Sequence, residues 1–214
     1  MGRTVSTYQK IPGPFLRDPA TNKLTDKWSS PELEYLKDDP WIFTEKVDGT
    51  NVRIMWDGYR VTFGGRTDNA QLPVPLFAWL HDKFGGPEKE QLFEQKFGTS
   101  PAILYGEGYG PKIQGGGKYR SDISVVFYDV RVEQWWLNRE GVQDVATYFG
   151  VDTVPVVLKA SLVRAITIIR SDAVTYSAWG QFAPEGLVGT TTVGLHDRSG
   201  DRIIVKLKLR DLRK

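Results

Sequence analysis

The chain has 214 residues, 40% apolar and 25% charged, with a net charge of +2, which suits a soluble globular chain holding one sizeable core. It has no cysteine, which excludes disulfides, cysteine zinc sites and thiol chemistry, and only His81 and His196 are on hand for imidazole catalysis. No apolar run reaches the length of a membrane span and no signal-peptide core opens the chain, so a cytoplasmic protein is expected.

Met1-Gly2-Arg3-Thr4-Val5-Ser6 fits the loose myristoylation pattern but lacks a second anchoring signal. Residues 7–28 are polar and turn-rich with no periodicity, and are expected as an ordered lead-in. Ser29-Ser30-Pro31-Glu32 is a helix start: a serine cap, a first-turn proline and an acid suited to the helix dipole. This helix should end near Asp39-Pro40. Residues 41–46 then read as a buried strand, with residues 52–56 as its hairpin partner across Asp48-Gly49. Asp57-Gly58 signals another turn before residues 59–63, giving three strands in meander order.

Residues 74–84 and 87–97 carry apolar residues at helical spacing, with Leu76, Phe77, Leu80 and Phe84 on one face and Leu92, Phe93 and Phe97 on the next, and all are expected in the core. Residues 103–107 form a strand ending in Glu107, and a glycine-rich loop follows to Gly117. Residues 123–132 are the strongest strand, paired with residues 135–137. Asn138 caps a helix to about Phe149, residues 154–157 make a short strand, and Ser161 caps a helix through Ile169. Strands at 185–188 and 202–209 close the chain, and residues 202–214 carry six cations against Asp211 alone. Strands and helices fall in blocks without strict alternation, so the expected class is α+β: two packed, mostly antiparallel sheets with flanking helices in a single domain, 1–214.

The candidate chemical residues stand at strand ends. Lys46 ends one strand beside Asp48, and a lysine held there can be a nucleophile if neighbouring cations and desolvation favour the neutral amine. Glu107 ends a second, Phe127, Tyr128 and Asp129 lie in a third, and Glu185 opens a fourth. Lys206 and Lys208 are two apart on the last, so they share a face and invite an anion between them. Taken singly, each has an ordinary surface reading.

Taken in order, they resemble the motifs of the covalent nucleotidyltransferases: DNA ligases, RNA ligases and messenger-RNA capping enzymes. Lys46-Val47-Asp48-Gly49 is similar to the nucleotidyl-lysine motif, Tyr105-Gly106-Glu107 to the ribose-contacting acid, and Phe127-Tyr128-Asp129 to the strand whose aromatic stacks on the base. Glu185-Gly186-Leu187-Val188 resembles the metal-site acid and Lys206-Leu207-Lys208 the phosphate-binding lysine pair. Asn51 in Lys-x-x-Gly-Thr-Asn form, Arg66 in Gly65-Arg66-Thr67, and residues 106–114 are similar to the nick-sealing, phage-type RNA ligases.

The resemblance implies a nucleotidyltransferase (ATP-grasp-like) adenylation domain that carries AMP covalently on Lys46, transfers it to a 5′-phosphate and seals that end to a 3′-hydroxyl of RNA, nicked or single-stranded. By the same resemblance Lys46, Asn51, Arg66, Glu185, Lys206 and Lys208 are the catalytic set. ATP would be bound by Glu45, Lys46, Val47, Glu107, Glu185, Lys206, Lys208 and an aromatic, Tyr128 or Phe127. Mg²⁺ or Mn²⁺ would be held by Glu185 and Glu107, and the setting would be bacterial or phage-infected cytosol, with RNA repair as the process. The chain departs from the family after the last motif, with neither an oligonucleotide-binding barrel nor a C-terminal helical domain expected, and Gly189-Thr190-Thr191-Thr192 stands where a basic residue is usual. The competing readings are a minimal ATP-dependent DNA ligase, against which Asn51 weighs, and a degenerate RNA-binding module, against which the retained Lys46 weighs.

Overall fold

A computed structural model describes residues 7–213. The first six residues, with the myristoylation pattern, and Lys214 of the basic tail lie outside them. In chain order come β1 (Phe15–Arg17), β2 (Leu24–Trp28), α1 (Pro31–Tyr35), β3 (Pro40–Lys46), β4 (Thr50–Trp56), β5 (Val61–Gly64), α2 (Val74–Phe84) and α3 (Pro87–Phe97). Then follow β6 (Ala102–Tyr109), a 3₁₀ turn at Gly116–Lys118, β7 (Ser124–Val132), β8 (Trp135–Trp136), α4 (Arg139–Phe149), β9 (Asp152–Thr153), β10 (Val156–Ser161), α5 (Leu162–Arg170), β11 (Gly186–Thr191), β12 (Ile204–Lys208) and α6 (Leu209–Leu212). The class is α+β with mostly antiparallel sheets, as expected. Two compact units are built from these elements, one from the chain up to Tyr8 and Asp48–Val154, the other from Gln9–Val47 and Pro155–Lys214.

The unit holding Lys46 is built on a sheet of order β10-β3-β11-β12, all antiparallel. Strand β3 alternates: Trp41, Phe43 and Glu45 are buried while Ile42, Thr44 and Lys46 are half-exposed. The buried face joins Leu187, Val205 and Leu207 beneath the apolar stripe of α5, Leu162, Ala165, Ile166 and Ile169. Ser161 and Ser30 cap α5 and α1 as their sequences predict, accepting from the backbone N–H groups of Arg164 and Leu33. The lead-in is ordered, as expected. β1 and β2 pair as a hairpin whose turn is held by Asp18, which accepts from the N–H groups of Ala20 and Thr21. Three- and five-residue strands with little burial alternation leave too weak a period to read.

The other unit is a sheet of order β5-β4-β6-β7-β8, with β9 parallel to β7. One face carries Val52, Ile54, Trp56, Leu104, Val125, Phe127 and Val130 into a core with Leu76, Leu80 and Phe84 of α2, Phe93 of α3 and Val142, Val145 and Phe149 of α4. Asn138 caps α4 by accepting from Gly141 N–H, and Gly150 ends it in the left-handed region at φ 64°.

Sequence expectations fail at several points. Phe77 of α2 and Leu92 of α3 are exposed, off the core faces of their helices. β3 and β4 are not a hairpin: β3 lies between β10 and β11, whereas β4 lies between β5 and β6, so the meander keeps only its β4–β5 half. Asp48-Gly49 reads locally as a hairpin turn, but here it is where the chain passes from one unit to the other. The strand expected at 154–157 is likewise divided, because Pro155 cannot donate to a ladder; β9 ends before it and β10 begins after it, in the other unit's sheet.

Gly189 of β11 faces the buried side, where a Cβ would lie 2.5 Å from Phe43 Cε1. Phe43 is fully buried, so Gly189→Ala should destabilise the protein by about 1–3 kcal/mol through overpacking. A thermal melt checks this; an unchanged Tm would mean that the ring has room to move.

Candidate active site

Three adjacent strands place the charged cluster. In register, Gly186 of β11 sits opposite Lys46 of β3 on one side and Lys208 of β12 on the other. Directly opposed residues in a sheet point to the same face. The two lysines therefore flank a position with no side chain, on the face opposite the apolar core. Gly186 also permits close backbone approach, since a Cβ there would stand 2.2 Å from the Leu207 carbonyl oxygen. Glu185, one residue before β11, directs its carboxylate at both cations: Lys46 Nζ donates to Oε2 at 2.6 Å, and Lys208 Nζ lies 2.7 Å from Oε1.

These three side chains are 24%, 19% and 17% exposed for Lys46, Lys208 and Glu185, enough to meet a ligand yet sheltered from full solvent screening. Burial alone would raise the Glu185 carboxyl, but the hydrogen bonds and charges of Lys208 and Lys46 outweigh it and hold it below the usual carboxylate range. Lys206 shares the half-exposed face of β12 with Lys208, as the alternation predicts, since Val205 and Leu207 between and beside them are buried.

Glu45 has a different surrounding. It lies on the core face and is 2% exposed, accepting from Ser177 Oγ at 2.6 Å and Ala178 N–H at 2.7 Å. Burial pushes its carboxyl up, partly offset by those two bonds. Its side chain is thus bound to the loop before Glu185. That anchor could not be foreseen, because Ser177 lies 132 residues away in sequence.

In the other unit, Asn51 and Glu107 are opposed across β4 and β6, and Asn51 Nδ2 donates to Glu107 Oε2 at 3.3 Å. Phe127 and Tyr128 are separated by the strand's alternation: Phe127 is in the apolar core at 0% exposure, which removes it as a base-stacking candidate, while Tyr128 is half-exposed. Tyr128 is met edge-on by Tyr8, which also packs on Tyr105 and Trp136 and donates to Asp129. No sequence period marks Tyr8 as part of this cluster. Burial, then the neighbouring Tyr8, Glu107 and Asp129, raise the Tyr128 phenol, with the nearby Asn51 amide offsetting part of this. Asn51 Oδ1 and Tyr128 Oη are buried without an aligned hydrogen-bond partner. Buried polar atoms in folded proteins are seldom left unpaired, so both are open to a bound polar ligand.

Arg66 is exposed on the loop after β5. Asp48 and Gly49 are packed tightly under the glycine-rich loop. Asp48 N–H donates to Tyr119 Oη at 3.2 Å, a Cβ at Gly115 would fall 2.2 Å from Asp48 Oδ2, and one at Gly49 would fall 2.2 Å from the Gly108 carbonyl oxygen. Val47, between Lys46 and this contact, is buried. Among the described residues no three acids or histidines gather as a ready-made metal cage.

The depressed Glu185 carboxyl implies stability that is complete above the ordinary value of 4.5 and lost as pH falls through the lower folded value. Glu185→Gln lacks this component. The Tm gap between wild type and variant should therefore shrink as pH drops below 4.5, and a constant gap would show that the ion pairs add nothing to the fold.

Compared with curated protein sequences, the chain has no match. Among solved structures it is similar to the Naegleria gruberi RNA ligase: a lysine-to-alanine variant with ATP and Mn (16% identity, TM-score 0.65, covering 96% of this chain and 62% of that one), the enzyme with PPi (17%, 0.63, 97% and 61%) and a glutamate-to-alanine variant with ATP and Mn (16%, 0.63, 92% and 59%). At this identity the likeness shows the fold, and the chain spans less than two-thirds of the length of those structures. The family model for RNA ligase matches residues 39–208, a span that runs from before Lys46 through Lys208 and takes in each motif described above. The chain belongs to the RNA ligase family.

Proposed function

We propose that this chain is the adenylation domain of an ATP-dependent RNA ligase, with Lys46 as the nucleophile. The observation that carries the reading is the row Lys46–Gly186–Lys208 with Glu185 bridging the two amines, within a family of RNA ligases. Once Lys46 leaves its ion pair and loses a proton, its lone pair attacks the α-phosphorus of ATP. The N–P bond forms as the bond to the bridging oxygen breaks, and pyrophosphate leaves with that electron pair. AMP then passes to the 5′-phosphate of an RNA end, and a 3′-hydroxyl displaces it as the strands join.

The work asked of the protein is positioning and charge neutralisation. Lys208 and Lys206 sit on the face that Lys46 shares and would offset charge growing on the α-phosphate. Glu185 is ionised and suits a largely hydrated Mg²⁺ or Mn²⁺, which needs one or two carboxylates and would supply charge neutralisation at the phosphate oxygens. In the family's motif order Glu107 is the ribose contact and Tyr128 the base-stacking aromatic, and the buried, unpartnered Tyr128 Oη supports a ligand at that place. Asn51 and Arg66 serve the joining of RNA ends in the same order. A cytoplasmic setting and a role in RNA repair belong to this reading.

The direct test is intact mass after incubation with ATP and Mg²⁺, with peptide mapping. The expected result is a gain of one AMP on Lys46, absent in Lys46→Ala; AMP on the variant at wild-type level overturns the nucleophile. Asn51→Ala should leave AMP attachment near wild type and slow joining of RNA ends by about a hundred-fold, the usual effect of losing one transition-state hydrogen bond. Equal loss in both steps would move Asn51 from strand joining to nucleotide binding.

A further inference from the structure

Arg53 is the most deeply buried cation among the described residues, at 1% exposure, and no step above uses it. It lies on β4 two residues after Asn51, opposite Gly64 of β5. Its Nε donates to the Gly65 carbonyl oxygen at 2.6 Å, and its Nη1 lies 2.9 Å from Asp68 Oδ1. A Cβ at Gly64 would come within 2.8 Å of Nη2, so the glycine leaves the room that the guanidinium occupies. The two anchor points, 65 and 68, flank Arg66 and Thr67, and an Ala70 N–H to Thr67 carbonyl bond of 3.1 Å closes the same loop.

Stability alone gives little reason for this arrangement. A buried cation matched to an acid whose side chain is 76% exposed gains little that an apolar residue of similar volume would not supply. A guanidinium does supply a rigid fork that fixes two points of a loop at once. We propose that Arg53 is a positioning residue for strand joining: it clamps the 65–68 loop from beneath so that the exposed Arg66 is held ready for a phosphate of the RNA strand being joined. This rests on the RNA ligase reading for the identity of the strand. The clamp itself rests on geometry alone.

Two variants test it. Arg53→Lys keeps the charge but loses the fork; Asp68→Ala removes the exposed anchor and spares the buried residue, so the fold survives if Arg53→Lys fails to fold. In both, hydrogen exchange at the amides of residues 65–70 should quicken while the rest of β4 stays protected, and unchanged exchange overturns the clamp. Joining of a pre-adenylated RNA end should fall by about a hundred-fold in Arg53→Lys, as expected for a misplaced contact, with AMP attachment to Lys46 unchanged. Combined with Arg66→Ala, neither variant should slow joining further; losses that add, or that fall equally on AMP attachment, would show a merely structural role and overturn the proposal. A wild type that attaches AMP but joins no RNA end would overturn the strand-joining role of the loop, while the exchange result still decides the clamp. A wild type that attaches no AMP would sink the enzyme reading instead.

Discussion

The site depends on one carboxylate shared by two amines. Glu185 brings charge of opposite sign between Lys46 and Lys208, and three strands must hold register for it to do so. Side chains alternate with a period of two, so a slip of one residue in β11 would carry Leu187 into the row and turn Gly186 toward the core. The apolar core resists that slip, because Leu187 would leave its place among Trp41, Phe43, Val205 and Leu207 on the buried face. The chemistry on one face is thus aligned by the hydrophobic core on the other. Glu185 also eases a conflict, since two cations on one sheet face, either side of Gly186, repel, and the carboxylate between them offsets part of that repulsion.

Much of this was legible because it is local. The end of a strand at Lys46, the acid before β11 and the alternation of Lys206 and Lys208 all follow from residues within a few positions of each other. The caps at Ser30, Asn138 and Ser161 were legible for the same reason. What failed was long-range. The partners of β3 come from residues 156–161 and 186–191, and nothing in 41–46 names them, so the nearest turn signal supplied a false partner in β4. The alternation of β7 shows that Phe127 and Tyr128 face opposite ways, but only the helices packed on Phe127 show which way is inward. Ser177, Tyr8 and Arg53 act through partners whose spacing in sequence carries no period.

Polar residues buried in this protein fall into two kinds. Glu45 and Arg53 are fully engaged with backbone and side-chain partners, and each fixes a loop that carries a motif residue, Glu185 in one case and Arg66 in the other. Asn51 Oδ1 and Tyr128 Oη are buried and unpaired. The first kind holds backbone in place, whereas the second leaves hydrogen-bonding capacity for something outside the chain.

The discontinuity of the units bears on how the chain comes to be folded. Residues 48–154 are an unbroken segment, joined in their unit by the chain up to Tyr8, whereas the other unit must wait for β10, β11 and β12. During synthesis the sheet that carries Asn51 and Glu107 can assemble while β3 is still without neighbours on either side. Two unpaired edges on an apolar strand are a hazard for aggregation. Lys46 therefore meets Glu185 and the row it shares with Lys208 only after β11 and β12 have been made, so the charged cluster cannot form on a nascent chain that stops at β10.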